Sequence, residues 1–185
     1  MRRVIVGISG ASGVILGVKA LQQLKKADVE THLVMTKSAE LTVHHELSMQ
    51  VEEIKALAHE FHPIKNVGAS IASGSFLTDG MLVAPCSIRT MSEIATGVTS
   101  SLLTRAADVV LKERRRLVLM VRETPLHTGH LRTMTSLSEM GAVIAPPVPA
   151  FYTGAESIDE LTEQSVGRAL DLFSLHSDSV TRWQG

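Results

Sequence analysis

The chain has 185 residues, of which 44% are hydrophobic and 20% are charged, and its formal net charge is -1. This balance predicts a single folded domain over residues 1–185 and gives the protein no general attraction for nucleic acid or an anionic membrane. Aromatic residues make up only 3% of the chain, which excludes the aromatic stacking surfaces of proteins that bind single-stranded nucleic acid.

The lone cysteine, Cys86, excludes a disulfide framework and suits a reducing compartment. The apolar run that follows Arg3 ends at Ser9, which is too short for a signal peptide. No window approaches the roughly 20 apolar residues of a membrane helix. The cytoplasm is therefore the expected location.

Strands and helices alternate along the chain from the first residues. A β-branched run over 3–9 ends in a glycine cluster and precedes an amphipathic segment over 14–26, which predicts a strand, a turn and a helix. Further strands are predicted at 29–35, 80–84, 116–121 and 142–145. Further helices are predicted near 38–47, 51–59, 88–96, 102–113, 127–140 and 157–172, and a structured loop at 62–78.

Five parallel strands require helical crossover connections between them. The pattern therefore predicts an α/β fold with a flavodoxin-like or Rossmann-like doubly wound parallel sheet in three α/β/α layers. In such sheets, ligands bind beyond the carboxyl ends of the strands, so the residues that follow each strand are candidate site residues.

The first strand ends in Gly7-Ile-Ser-Gly10-Ala-Ser12-Gly13. Glycines there allow a tight turn and a close backbone approach to an anion at the helix N-terminus. The spacing matches neither the dinucleotide fingerprint nor a phosphate-binding P-loop. A phosphate or a polar ring edge would suit this turn, although a turn that merely saves space explains it as well.

The second and third strands also end in hydroxyl-bearing residues. Thr36-Lys37-Ser38 stands where an NAD-binding fold would place an acidic residue, which argues against NAD and favours a phosphate-bearing ligand or a simple helix cap. Pro85-Cys86-Ser87-Ile88-Arg89-Thr90 again leads into a helix N-terminus. Because no histidine neighbours Cys86 in the sequence, we interpret it as structural in preference to a nucleophile.

Adjacent opposite charges, Arg122 and Glu123, end the fourth strand. A buried carboxylate there could act as a general acid or base while the arginine holds a phosphate, and a purely structural ion pair is the alternative. His127-x-x-His130 and His44-His45-Glu46 do not match the H-E-x-x-H zinc motif, so no metal is expected.

Seven motifs occur in register from about residue 3 to Trp183 and together resemble the UbiX-type flavin prenyltransferase family. They are Gly10-Ala-Ser-Gly13, Ser73-Gly74-Ser75, Pro85-Cys86-Ser87-x-x-Thr90, Arg105-Ala-Ala-Asp108, Leu111-Lys112-Glu113-Arg114, Arg122-Glu123-Thr-Pro-Leu126 and Pro149-Ala-Phe-Tyr152. The chain also resembles the subfamily associated with aromatic acid decarboxylases, whose tails end similarly in Arg182-Trp183.

The resemblance implies a cytoplasmic homo-oligomer, usually a dodecamer, that binds FMN at subunit interfaces and needs no metal. It implies that a C-terminal tail of about 175–185 packs on a neighbouring subunit. The FMN-binding residues implied are Gly10, Ala11, Ser12, Thr36, Ser87, Ile88, Arg89, Thr90, Arg105 and Arg122. The residues implied to hold the phosphate of dimethylallyl phosphate are Lys112, Arg122, Tyr152 and Arg168.

The activity implied is transfer of a dimethylallyl group to reduced FMN. In this family flavin N5 attacks the allylic carbon as phosphate leaves, a bond to C6 closes a fourth ring, and the prenylated FMN passes to a UbiD-type decarboxylase. By the same likeness Glu123 is the proton-transfer carboxylate, Glu46 is a second acid, and Ser12 is a third catalytic group.

Two departures and two alternatives accompany the resemblance. Leu16 stands where many relatives carry Tyr, and Glu93 where a small residue is common, so either could alter the edge of the pocket. An FMN-dependent cysteine decarboxylase shares the fold and the FMN, but its typical Pro-Ala-Ser-Ala-Asn-Thr is here Pro85-Cys-Ser-Ile-Arg-Thr90. A non-catalytic flavin carrier is the alternative from a different class.

Overall fold

The computed structural model describes residues 2–184, which form six strands and seven α-helices. The strands are β1 Arg3–Ile8, β2 Glu30–Met35, β3 Glu60–His62, β4 Gly80–Cys86, β5 Arg116–Val121 and β6 Val143–Ile144. The helices are α1 Ile15–Lys26, α2 Lys37–Glu46, α3 Val51–Lys55, α4 Ile88–Thr96, α5 Leu102–Lys112, α6 Thr128–Glu139 and α7 Ile158–Asp171. Short 3₁₀ turns lie at Ser70–Ala72 and Phe151–Thr153.

The strands form one parallel sheet in the order β3-β2-β1-β4-β5-β6. Without the short edge strand β3, this order is that of flavodoxin-like folds, so the predicted doubly wound sheet is confirmed. The order reverses between β1 and β4. Crossover connections leave these two strands toward opposite sides of the sheet, and a crevice opens where their carboxyl ends separate.

Helices cover both faces of the sheet and bury two separate cores. On one face, α1, α2, α3 and α7 pack apolar side chains such as Leu21 and Val166 against the sheet. On the other, α4, α5 and α6 do so with side chains such as Met91 and Leu137. Because both faces are covered, the central strands are apolar throughout, and every residue of β4 is buried.

Helix α1 lies unusually close to the strands that precede the crevice. A Cβ atom on Gly17 would lie 2.5 Å from Ile8 Cδ1 and 2.6 Å from the carbonyl oxygen of Ala84. Such distances are far inside van der Waals contact, so only glycine allows this approach. The first turn of α1 is thereby held against the ends of β1 and β4.

Two boundaries predicted from the sequence were wrong. Strand β4 does not stop before Pro85 but continues to Cys86. Its pairing with β5 is irregular between Val83 and Cys86, so no ladder hydrogen bond requires the N–H that Pro85 lacks. The helix expected over 51–59 ends at Lys55, and the chain then enters β3, which the sequence analysis missed.

The last helix begins as predicted, with the Ser157 hydroxyl accepting a hydrogen bond from Glu160 N at 3.2 Å. The Glu160 carboxylate does not complete a capping box, since it accepts from Glu156 N and not from Ser157 N. Ile158, the first residue of this helix, is 78% exposed. None of the helices within residues 2–184 is both long enough and apolar enough to cross a bilayer.

Cys86 ends β4 as a fully buried side chain. Burial raises the pKa of its thiol to about 12, because a thiolate would lose its hydration in this apolar position. The reactive thiolate form is therefore almost unpopulated at neutral pH, which supports a structural role for Cys86.

We predict that native protein resists alkylation at Cys86 by iodoacetamide at pH 8. With a pKa near 12, only about one thiol in ten thousand is ionised at that pH. Intact-protein mass spectrometry measures the labelled fraction, and protein unfolded in guanidinium serves as the control that must label fully. Native labelling as fast as in the unfolded control would contradict the buried, inert position.

Candidate active site

A cavity of about 360 Å³ opens at the carboxyl edge of the sheet, where the strand order reverses. Hydroxyl groups dominate its walls, together with two cations and one carboxylate. The lining residues are Gly10, Thr36, Lys37, Ser38, Ile64, Ser87, Arg89, Thr90, Glu93, Ser100 and Ser101. The switch-point position expected for a ligand of this fold is thus a real cavity with polar walls.

Three helix N-termini converge on this cavity. The N-cap hydroxyls are Thr36 for α2, Ser87 for α4 and Ser101 for α5, and each accepts a hydrogen bond from a first-turn N–H of its own helix at 3.1 to 3.3 Å. Each cap satisfies one of the four N–H groups that a helix N-terminus leaves unpaired. The remaining donors and the positive ends of three helix dipoles favour an anion such as a phosphate.

Ser9 fixes the relative position of the two strand ends. Its fully buried hydroxyl donates to the Pro85 carbonyl oxygen at 2.8 Å and accepts from Ser87 N at 2.8 Å. The next residue, Gly10, lies so close to α2 that a Cβ there would come within 2.3 Å of Ser38 Cβ. These contacts bring the first turn, the start of α2 and the start of α4 around one volume.

The turn at the start of α1 already holds a carboxylate of this chain. Glu46, the last residue of α2, accepts hydrogen bonds from Gly13 N at 2.8 Å and Val14 N at 3.2 Å. This glycine turn was predicted to suit a phosphate or a polar ring edge. Because Glu46 takes these two N–H groups, they are not available to a ligand while this contact holds.

Arg122 joins the same corner from β5. Its backbone N–H donates to the Cys86 carbonyl oxygen at 3.1 Å, and its side chain passes Gly13 so closely that a Cβ there would lie 3.3 Å from Arg122 Cδ. Gly13 has a φ of 97°, which L side chains rarely adopt. The arginine therefore lies beside the glycine turn that also receives Glu46.

The ion pair expected between Arg122 and Glu123 does not form among the residues that the structure describes. Glu123 is exposed, and one carboxylate oxygen accepts a hydrogen bond from Thr124 N at 3.0 Å. Both expectations, burial and pairing, are therefore wrong for a single chain. The Arg122 side chain lies beside Gly13, whereas the Glu123 side chain contacts Thr124.

Glu93 supplies the one carboxylate of the cavity wall. It accepts hydrogen bonds from Ser100 Oγ at 2.7 Å and from Arg89 Nε at 3.0 Å, and these contacts, that with Ser100 foremost, lower the pKa of its carboxyl. The ionised form keeps the Arg89 guanidinium at the cavity edge. Leu16, the other departure from the family pattern, is buried in the core and does not line the cavity.

The structure brings the predicted FMN-binding residues together at one edge, with one exception. Gly10, Thr36, Ser87, Arg89 and Thr90 line the cavity, Ile88 lies between two of them on α4, and Ala11 and Ser12 belong to the adjoining turn. Arg105 lies elsewhere on α5, where it binds Asp108 at 2.8 Å and the Ala72 carbonyl oxygen at 3.3 Å.

Lys112 lies near the opposite edge of the sheet. It is the last residue of α5, pairs with Glu113 beside Gly74, and precedes the start of β5 at Arg116. Glu123 follows the far end of β5. A six-residue strand spans about 20 Å, so Lys112 and Glu123 of one chain cannot meet in one site.

Tyr152 and Arg168 do not line the cavity, and they lie in different places from each other. Arg168 lines a second cleft of about 240 Å³ with apolar neighbours that include Met120 and Val148. It pairs with Asp171, which also binds Arg182 at 2.9 Å. Hydrogen bonds to Asp171 lower the pKa of its carboxyl. Arg182 has the largest effect, and His176 and Arg168 add to it.

The C-terminal tail contacts Tyr152 and α7 of its own chain. The Tyr152 hydroxyl donates to the Thr181 carbonyl oxygen at 3.4 Å, and its ring meets Trp183 edge to face at 5.4 Å. Gln164 exchanges two hydrogen bonds with the Thr181 backbone at 2.8 and 2.9 Å. Trp183 nevertheless remains 71% exposed.

Three cavity residues escaped the sequence analysis, namely Ile64, Ser100 and Ser101. Leu102 N donates to the Ile64 carbonyl oxygen at 2.9 Å, which docks the 62–78 loop onto the start of α5. The Ser101 and Thr104 side chains form a reciprocal cap at the start of α5, and the only signal for it in the sequence was a serine directly before an apolar run.

Comparison with known proteins places this geometry in a family. The model of the Flavoprotein family matches residues 1–170. The flavin prenyltransferase UbiX of Neisseria meningitidis serogroup B is 56% identical over 185 residues, which cover 100% of this chain and 98% of that protein.

Two solved structures superimpose closely. AnUbiX (PadA1), crystallised with FMN and dimethylallyl pyrophosphate, has a TM-score of 0.98 and 51% identity, with 100% of this chain and 98% of that chain covered. A dodecameric FMN-dependent UbiX-like decarboxylase from Escherichia coli O157:H7 has a TM-score of 0.97 and 48% identity, with 99% and 100% covered. This chain therefore belongs to the flavoprotein family and, within it, to the UbiX-type flavin prenyltransferases.

Proposed function

We propose that this protein transfers the dimethylallyl group of dimethylallyl phosphate to reduced FMN and releases prenylated FMN for a UbiD-type decarboxylase. The observation that carries the proposal is the convergence of three capped helix N-termini on one hydroxyl-lined cavity at the switch point. The chain that builds this cavity is 56% identical over its whole length to a flavin prenyltransferase.

The cavity residues fit FMN as the group to be held. The N-termini of α2, α4 and α5 supply the donors that a phosphate monoester requires, and Lys37 and Arg89 add positive charge. Gly10 allows the first turn to pack directly against Ser38, which keeps the start of α2 beside the cavity. FMN supplies a nucleophilic ring nitrogen when it is bound, and these residues hold and orient it.

The allylic phosphate requires a second group of cations and hydrogen-bond donors. Arg122 lies beside the glycine turn, and we assign to it, with Lys112, Tyr152 and Arg168, the task of stabilising the negative charge that develops as phosphate leaves. Glu123 at the end of the same strand moves the proton. Glu46 and Ser12 line the turn next to it and complete the catalytic group.

The separation of Lys112 from Glu123 within one chain supports a site shared between subunits. Because Lys112 and Glu123 lie about 20 Å apart along β5, a neighbouring chain must supply one of them. The exposed Phe151 and Val148, 87% and 72% accessible, provide apolar surface for such contacts. A homododecamer, the assembly of the E. coli structure, is the proposed form.

The domain organisation and the C-terminal tail fit the same activity. Residues 1–185 act as one flavin-binding domain in the cytoplasm, without nucleic acid or membrane partners. In the tail of about 175–185, Trp183 keeps most of its ring exposed while Arg182 is fixed by Asp171, an arrangement suited to packing on a neighbouring subunit.

We predict that purified protein, incubated anaerobically with reduced FMN and dimethylallyl phosphate, yields extracted flavin heavier by one five-carbon unit. Mass spectrometry of the flavin gives the result, and protein without the allylic donor is the control. Unmodified flavin together with carbon dioxide from a cysteinyl peptide would instead support the cysteine decarboxylase. Unmodified flavin without other chemistry would support a flavin carrier.

We predict that Glu123→Gln binds FMN normally but lowers turnover by about 100-fold or more, the usual cost of losing a proton-transfer group. The matched control is Glu139→Gln, which neutralises an exposed carboxylate elsewhere, at the end of α6. Flavin fluorescence titration measures binding, and the mass of extracted flavin measures turnover. A wild-type rate in Glu123→Gln would remove this residue from the mechanism.

We predict that Lys112→Ala and Glu123→Gln are each nearly inactive alone but complement one another when co-expressed in mixed oligomers. If each site takes Lys112 from one chain and Glu123 from another, random mixing leaves about a quarter of the sites intact. Lys25→Ala, an exposed lysine on α1, is the control for charge loss. Mixed oligomers without restored activity would mean that the two residues do not share a site across chains.

A further inference from the structure

A second cluster of ionisable side chains lies away from the flavin cavity, on the outer strands β2 and β3. His32 of β2 pairs in register with Glu60 of β3, and His62 follows two residues later on the same side of β3. His32 is 28 and 30 positions away from Glu60 and His62 in the sequence. Only the parallel pairing of β3 with β2 brings them together, and no local motif announces them.

The three side chains present ligand atoms to a common point. His32 Nδ1 lies 2.9 Å from His62 Nε2, and Glu60 Oε2 lies 3.5 Å from His32 Nδ1. One ligand atom from each residue lies within 4.8 Å of the others, and within residues 2–184 this is the one group of three that meets that condition. Two imidazoles and one carboxylate are the ligand set that zinc and its neighbours in the first transition row prefer.

The surroundings already orient one of the imidazoles as a metal ligand. His32 Nε2 donates to Glu30 Oε1 at 2.9 Å, which leaves the Nδ1 lone pair directed toward His62. Glu30 is held in turn by Arg3 through hydrogen bonds of 2.7 and 2.9 Å. A carboxylate behind a ligating histidine, itself fixed by a further partner, is the usual outer shell of a protein zinc site.

Burial and access also suit an ion. His32 and His62 are only 2% and 3% exposed, and Phe76 covers His32 with ring centroids 5.0 Å apart. The Glu60 side chain is 56% exposed, so an ion can enter from solvent past this carboxylate. Two buried imidazoles with an open third ligand leave a fourth position for water.

We propose that His32, Glu60 and His62 bind a divalent transition metal ion of the zinc type, apart from the flavin site. The ion replaces the hydrogen bond between the two imidazoles. Bonds of about 2.0 to 2.1 Å from zinc to each nitrogen require the nitrogens to separate by only a few tenths of an ångström. His62 then carries its ring proton on Nδ1, which faces Glu60 Oε1 at 3.6 Å.

The expected consequence is structural, because the ion ties the edge strand β3 to β2. Strand β3 ends at His62, and Ile64 two residues later lines the flavin cavity. Metal binding therefore stabilises the segment that leads into the cavity wall. This inference does not depend on prenyl transfer, since its test measures metal uptake and not turnover.

The test titrates chelator-treated, full-length protein with Zn²⁺ by isothermal calorimetry and counts bound zinc by elemental analysis after desalting. One zinc per chain is expected for the wild type. Glu60→Gln and His62→Gln should each weaken binding by about 10-fold or more, as loss of a ligand or of its support usually does. Glu52→Gln, which removes an 82% exposed carboxylate on α3, and His44→Gln should match the wild type.

Thermal unfolding gives an independent readout, because an ion that binds only the folded state raises its midpoint. Zinc should raise the midpoint of the wild type and of Glu52→Gln, and should raise that of His62→Gln clearly less at the same zinc concentration. If His62→Gln misfolds, Glu60→Gln, whose side chain is half exposed, decides the matter alone. Absence of equimolar uptake, or equal affinity in the wild type and Glu60→Gln, would overturn the proposal.

Discussion

The reversal of strand order between β1 and β4 is the constraint on which the rest of the site depends. At this point the carboxyl ends of β1 and β4 separate. The helices that follow β1 and β2 lie on one face of the sheet, and the helix that follows β4 lies on the other. Helices α2, α4 and α5 all begin there, and each retains backbone donors that its cap does not satisfy. The positive potential at this edge therefore comes first from backbone N–H groups, and the hydroxyl side chains add further polar groups.

Much of this edge could be predicted because its signals are local. Strand β5 and helix α4 lie at the residues that periodicity indicated, and the strand ends at Gly10, Thr36 and Ser87 do line one cavity. Each of these features is encoded within about ten consecutive residues. Strand-end reasoning needs only the fold class in addition, since parallel strands bring their carboxyl ends to one edge.

The rest escaped prediction because it depends on contacts between distant segments. Strand β3 is three residues long, begins with a charged residue and is a strand only through its pairing with β2. Ile64 reaches the cavity because its carbonyl oxygen receives Leu102 N. Arg122 and Glu123 are adjacent in the sequence, which suggested an ion pair. Their different neighbours in the fold could not be predicted from that adjacency.

Glu46 at the first turn of α1 has a consequence for which nucleotides the protein accepts. With β3 included, the strand order is the one found in dinucleotide-binding folds, where a pyrophosphate bridge rests on the N-terminus of the first helix. Here the carboxylate of Glu46 takes the Gly13 and Val14 N–H groups. A pyrophosphate at this helix N-terminus would meet the like charge of Glu46 and would have to displace it from both N–H groups, which disfavours dinucleotide binding in the manner of NAD-binding folds.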